Sequence, residues 1–155
     1  MTLRRNKTGL LALAFVLGLL MSNLPDAFAA DPIGLVKSSS GEVNVERAGQ
    51  KIAADVGTKL FQSDVVITGS DGAVGMTFID NSRLSLNPNS NLALESFRFN
   101  TTTHDGEFIS SLRKGALAAV SGKIAKATPE AMKVRTPSAV LGVRGTKFLV
   151  SVAGQ

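Results

Sequence analysis

The chain has 155 residues, a formal net charge of +5 at pH 7, and no cysteine, tryptophan or tyrosine. Without cysteine the protein has neither disulfides nor thiol catalysis, and without Trp or Tyr it has few aromatic faces on which bases or sugars could stack. The length suits one domain with a single core.

The first 29 residues have the pattern of an export signal. A basic start is followed by an apolar run over residues 9–21, which at about a dozen residues is too short to span a bilayer comfortably. Ala27-Phe28-Ala29 fits the small-x-small cleavage rule. We therefore expect a Sec-type signal peptide over 1–29, cleavage after Ala29, and a periplasmic protein, with release from the cell as the alternative. An uncleaved anchor is the other interpretation of this segment.

Residues 30–155 are predicted to form a single all-β domain. Short runs that alternate apolar and polar residues are separated by Gly, Asp and Asn turns, and no long helical period occurs. This pattern favours an antiparallel β-sandwich or barrel, with a solenoid as the alternative. The predicted strands are 33–37, 42–47, 65–68, 74–78, 84–86, 92–99, 108–112, 116–120, 132–136 and 147–152.

Three local features give sharper expectations. Gly69-Ser70-Asp71-Gly72 predicts a tight hairpin, because Asp-Gly tolerates positive φ. The apolar parity changes between Leu94 and Phe97, which predicts a β-bulge near Glu95-Ser96. Residues 121–131 are ambiguous, since Lys123 to Ala127 could end a strand or form one helical turn and Thr128-Pro129-Glu130 could open a short helix.

Several turn motifs, in order, resemble those of the FecR domain family of bacterial envelope proteins. The motifs are Gly41-Glu42-Val43, Gly57 to Leu60 with Asp64, Thr68 to Gly72, Asp80 to Leu84, Pro88-Asn89-Ser90, Gly115, and Thr136 to Thr146 with its Val-Arg-Gly-Thr segment. The resemblance implies an all-β, jelly-roll-like sandwich as a single domain over residues 30–155. It also implies a non-catalytic module in envelope signalling or sensing.

The chain departs from the founding regulators of that family. Those proteins carry a cytoplasmic anti-sigma segment and a transmembrane helix before the domain, whereas here the domain follows the predicted signal peptide directly. We therefore expect a stand-alone exported FecR-like protein, without a stable membrane span after signal cleavage, that does not itself carry a signal across the inner membrane.

Arg144 is the strongest candidate for a special role. Gly142 and Gly145 lie close to it in sequence and let the backbone bend, and Thr146 could cap the same turn. A buried Arg must be paired, so we expect Arg144 to form a fold-defining clasp with Asp64 or Asp80. The functional alternative is an anion or peptide-carboxylate site.

Other candidate sites are weaker. His104 is the single histidine, and it lies in a polar loop where a solvated side chain is expected rather than a metal ligand. The spacing of Asp64, Asp71 and Asp80 matches no calcium-binding pattern, and no Gly-x-Ser-x-Gly elbow occurs. We expect no enzyme activity, no metal and no cofactor.

The basic excess lies in the last third of the chain. From Arg113 onward the sequence has eight Lys and Arg residues and one acidic residue, Glu130. This excess of positive charge could suit anionic lipid head groups or an acidic partner, or it could form an ordinary solvated face. Nucleic acid is not an expected partner of an exported protein. We expect an envelope protein or a cell-wall component as the partner; the alternative is a structural part of an envelope assembly or a cell-wall-associated binding protein.

Overall fold

The computed structural model describes residues 30–144 and 146–153, so the predicted signal peptide and Gly145 lie outside the described residues. The described part contains one short helix and twelve strands. The helix is α1 (Lys123–Ala127). The strands are β1 (Gly34–Ser40), β2 (Val43–Arg47), β3 (Gln50–Ala53), β4 (Lys59–Leu60), β5 (Val65–Thr68), β6 (Ala73–Phe78), β7 (Arg83–Leu86), β8 (Asn91–Phe99), β9 (Gly106–Val120), β10 (Met132–Arg135), β11 (Val140–Gly142) and β12 (Lys147–Val152). The prediction of an all-β protein is confirmed.

The strands form one sheet that curls into a half-barrel. Its main path runs β3-β2-β5-β8-β9-β7-β6-β1-β4, with β10 and β12 paired to β9 and β11 paired to β10. Alternate side chains of these strands point inward and form one apolar core. Strands near both ends of the main path contribute to this core, for example Val45 on β2 and Val36 on β1. No helix in the described residues is long and apolar enough to cross a membrane.

Strand β9 connects the two halves of this sheet. Its first half pairs with β8 and β10, and its second half pairs with β7 and β12. The strand changes partners at Gly115, which has φ +89°. A β-carbon on Gly115 would clash with the Ser90 hydroxyl oxygen, and that hydroxyl accepts a hydrogen bond from the Ala116 amide at 3.0 Å. The Pro-Asn-Ser turn and the glycine therefore form one corner of the fold.

One expectation about strand pairing is wrong. Gly69-Ser70-Asp71-Gly72 is a turn, with the Gly72 amide donating to the Gly69 carbonyl at 3.2 Å, but it forms no hairpin. The flanking strand β5 pairs with β2 and β8, whereas β6 pairs with β1 and β7. The turn thus carries the chain from one half of the sheet to the other. The expected antiparallel sheet is confirmed, although one pair within it, β10 with β9, is parallel.

Other details follow the sequence more closely. The predicted bulge is confirmed, because the register of β8 against β9 shifts between Leu94 and Ser96. The ambiguous segment 121–131 holds the helix α1, a single short turn whose Ile124 is buried in the core. This helix precedes β10 and provides the crossover that a parallel strand pair requires.

Candidate functional site

The segment from Thr136 to Phe148 contains β11 and the first residues of β12, two strands at the edge of the sheet. Strand β11 pairs with β10, and β12 pairs with the second half of β9. Among the described residues neither strand has a second neighbour. Val143, Arg144 and Thr146 belong to the short crossing between them, where Val143 is buried and the other two are exposed. Gly145 lies outside the described residues.

The predicted clasp between Arg144 and Asp64 or Asp80 is wrong. The Arg144 side chain is 72% exposed, and its guanidinium lies 2.9 Å from a carboxylate oxygen of Glu130, which is itself 57% exposed. Glu130 has φ +72°, a left-handed backbone that non-glycine residues seldom adopt. Glycines close to an Arg in sequence give the backbone freedom, but they do not draw the side chain into the core.

Asp64 is clasped by a different arginine, Arg47. The Arg47 guanidinium donates two hydrogen bonds to the Asp64 carboxylate, each at 2.8 Å, and a third to the Lys59 carbonyl at 2.9 Å. The guanidinium also lies over the Phe61 ring, 4.4 Å from its centroid. Asp64 is fully buried and also accepts from the Phe61 amide. The side-chain hydrogen bond with Asp64 raises the pKa of Arg47, an effect that burial opposes and the charge of Asp64 supports.

Asp80 belongs to a second buried polar cluster with Ser82 and Gly122. The Asp80 carboxylate accepts from the Ser82 amide at 2.9 Å and from the Ser82 hydroxyl at 2.6 Å. The same hydroxyl accepts from the Gly122 amide at 2.9 Å, and the Asp80 carbonyl accepts from the Lys123 amide at 2.7 Å. A β-carbon on Gly122 would clash with the Asp80 carbonyl. The cluster therefore ties the β6–β7 turn to the end of β9.

These two carboxylates thus serve in separate structural contacts and not in a common site. Within residues 30–144 and 146–153 no group of three or more His, Asp or Glu side chains could hold a metal ion. His104 is partly buried, and its ring stacks on Phe99 with centroids 6.0 Å apart.

A surface depression of about 400 Å³ lies beside the crossing from β11 to β12. Arg144 and Thr146 line one side of it, and Ser121, Ala125, Lys126 and Pro129 complete its lining. Two of the predicted site residues thus come together at the surface. They are separated from Asp64 and Asp80, which lie in the interior.

A set of exposed apolar residues in the same region was not predicted from the sequence. Val140 is 63% exposed, Leu141 39% and Leu149 69%, which makes them three of the five exposed large apolar side chains in the described part. Leu149 faces Ala118 on β9, and Ala118 faces Ser85 on β7, so its neighbours on the outer face are small. The signal was present in the sequence, because Leu149 has the opposite parity to the inward-facing Phe148, Val150 and Val152.

A comparison with known protein families matches residues 64–155 to the family described as FecR protein. No curated protein and no solved structure matches the chain. The matched region begins at Asp64 of the Arg47 clasp and contains the Asp80 cluster, the Ser90–Gly115 corner and the crossing at Arg144. FecR domains belong to a family involved in envelope signalling and are generally non-catalytic. Because the match spans more than half of the sequence, this chain belongs to the FecR family.

Proposed function

We propose that this protein is an exported, non-catalytic module that binds an envelope protein through the margin formed by β11 and β12. The observation that carries the proposal is the exposure of Val140, Leu141 and Leu149 on these two strands. Three of the five large apolar side chains that the described residues expose thus lie on these two strands, and apolar groups concentrated on the same elements mark interaction sites more often than single scattered ones do.

The strands themselves supply a second argument. Each pairs with one neighbour in the described part of the chain, which leaves backbone donors and acceptors along the other side. An extended segment of a partner can add itself to such an edge, with backbone hydrogen bonds giving affinity and side chains giving specificity. Leu149 would then contact the partner's side chains on the outer face of the sheet.

Export is part of the same proposal. The basic start, the apolar run and Ala27-Phe28-Ala29 support a Sec-type signal peptide over residues 1–29 and a periplasmic location. The test is the mass of the protein recovered from the envelope: a chain that begins at Ala30 supports export with cleavage, and an intact chain in the cytoplasm contradicts it. An Ala29→Asp variant should accumulate uncleaved.

We also propose that the two halves of the curled sheet pack face to face as a jelly-roll-like sandwich. The support is the single core to which both halves contribute. An experimental structure in which the halves enclose separate cores would contradict this description.

Photo-crosslinking in intact cells tests the binding surface. A crosslinking amino acid at Leu149 should give a discrete adduct with an envelope protein, whereas the same group at Val56 should not. Val56 is a matched control, because it is apolar and 65% exposed but lies in the connection between β3 and β4. A charged substitution, Leu149→Lys, should abolish the adduct formed from a probe at Val140, and Val56→Lys should leave it intact.

The same experiment separates signalling from a structural role. An adduct whose yield changes with starvation or envelope stress supports a sensing module. A yield that is constant under all conditions favours the alternative of a structural component. Equal adducts from Leu149 and Val56, or none from either, would reject the β11–β12 margin as the binding surface.

A further inference from the structure

A cluster of four cationic side chains without ionic partners lies beside the crossing. Arg83, Lys123, Lys126 and Lys147 come from three different elements, β7, α1 and β12. Within the described residues none of the four forms an ion pair, although five other cations do. The side chains of Arg83, Lys126 and Lys147 are exposed, and Lys123 is partly exposed.

The strand register brings two of these cations to the same face. Arg83 and Lys147 both face Val120, one from each side of β9. Residues directly opposite each other in a sheet point to the same face, and two strand spacings separate the two backbones by about 10 Å. Long Arg and Lys side chains at that separation can reach a common ligand above Val120.

The surface between the cations is concave and rich in donors. Arg83, Lys123 and Lys126 line a depression of about 450 Å³ together with Thr77, Asn81 and Ser121. A neighbouring depression of about 560 Å³ continues from Arg83 and Val120 to Lys147. Neither lining contains an Asp or Glu residue.

The nearby acids are already engaged. Glu130 pairs with Arg144, and Asp80 is fully buried with its carboxylate held by Ser82. Arg83 and Lys147, whose backbones lie about one Debye length apart, therefore repel each other with no carboxylate in the linings of the depressions between them. A multivalent anion in the depressions would relieve this repulsion and accept hydrogen bonds from the guanidinium, the ammonium groups and the neutral donors.

We propose that the depressions lined by Arg83, Lys123, Lys126 and Lys147 bind the phosphate groups of a multivalent anionic ligand. The combined space exceeds that of a single phosphate, which favours a ligand with two or more phosphates or a phosphate-bearing head group. The site adjoins the β11–β12 protein surface, because Lys147 lies on β12 two residues from Leu149, although neither Leu149 nor Val140 lines the depressions.

The test uses the full chain and three double variants of equal charge. Arg83→Gln/Lys126→Gln removes one Arg and one Lys from the cluster. Arg113→Gln/Lys114→Gln removes the same two residue types from a different depression, where both side chains are exposed. Lys123→Gln/Lys147→Gln is a second variant of the cluster, and circular dichroism melting confirms that each variant is folded.

Calorimetric titration with tripolyphosphate at low ionic strength measures one possible source of phosphate, and flotation with phosphatidylglycerol vesicles measures the other. Phosphatidylcholine vesicles serve as the neutral control. The cluster variants should lose affinity by about tenfold or more, the Arg113/Lys114 variant should stay within about twofold, and added salt should weaken binding. Binding to tripolyphosphate alone identifies a small soluble ligand, and binding to vesicles alone identifies a lipid head group.

Two results would overturn the proposal. The first is no detectable binding of either phosphate source by the unchanged protein. The second is an equal loss in the cluster variants and in the Arg113/Lys114 variant, which would show a response to net charge and not to a site.

Discussion

At the scale of single residues, the ion pairs in the described part of this protein include one whose carboxylate is fully buried and others whose side chains face solvent. Arg47 and Asp64 belong to the first kind, and Arg144 and Glu130 to the second. The pKa of Arg47 is raised by its hydrogen bond with Asp64. Because this folded-state pKa lies above the unfolded value, the stabilisation is complete at neutral pH and is lost only as pH rises through the strongly alkaline range.

The two arginines should therefore differ sharply in their effect on stability. Arg47→Met leaves the fully buried Asp64 carboxylate without its ionic partner, so the free energy of unfolding should fall by about 2 kcal/mol or more. The loss should be smaller than for a fully buried pair, because the Arg47 side chain is 34% exposed. Arg144→Met should change it by less than about 0.5 kcal/mol. Urea unfolding followed by circular dichroism measures both, and a larger loss for Arg144→Met would contradict the assignment.

The sequence predicts that an Arg–Asp ion pair stabilises the fold, but it does not predict which arginine forms the pair. The rule that a buried Arg and Asp must pair is physical, and Asp64 was identified correctly as one candidate carboxylate. The correct arginine depends on which strands are neighbours: β2 pairs with β5 so that Glu46 faces Val65, which places the next residue, Arg47, beside Asp64. No local sequence pattern predicts that β2 pairs with β5.

At the scale of elements, the corner at Gly115 decides how the sheet changes partners. The strand β9 continues through the point where two separate strands were predicted, over 108–112 and 116–120. Glycine permits this because it adopts a positive φ without strain. No larger residue fits there, because the Ser90 side chain occupies the space that a β-carbon would need.

Gly115→Ala should consequently be far more destabilising than an alanine at an uncrowded glycine. Gly49 has φ +78°, and nothing lies within 4 Å of the position that a β-carbon would occupy there, so Gly49→Ala measures the backbone strain alone, about 1–2 kcal/mol. Gly115→Ala adds the clash with Ser90 and should exceed that loss by about 1–3 kcal/mol. Thermal and urea unfolding of the two variants give the comparison, and equal losses would mean that the corner relaxes without cost.

The elements themselves were largely predictable, since alternation identifies a strand wherever one face is buried. The strands that were missed are β3, β4 and β11, which are two to four residues long and mostly exposed, so they leave no alternation to detect. The hairpin error at residues 69–72 has a different cause. Asp-Gly specifies the turn, but the partners of β5 and β6 are set by the core contacts of distant strands.

At the scale of the whole molecule, β9 makes the two halves of the sheet interdependent. Each half uses part of this one strand, and both halves contribute to the same core. Neither half can lose its order while the other keeps all its neighbours.

Unfolding should accordingly be a single cooperative transition, as it is for most small domains. Native-state hydrogen exchange tests this: the slowest amides of β1 and β6 in one half, and of β2 and β5 in the other, should report the same free energy of opening. A difference of more than about 1 kcal/mol between the two halves would indicate that they open separately.

The position of β12 in the sequence also affects the order in which the strand pairs form. The second half of β9 lies between β7 and β12, yet β12 covers residues 147–152 and is synthesised after every other strand in the described part of the chain. Until those residues are available, the row from Gly115 to Val120 has one unsatisfied side, which is a template for pairing with other chains. The second half of β9 therefore gains its β12 neighbour only after all the other described strands have been made, and a chaperone that covers this edge of β9 would act before that pairing.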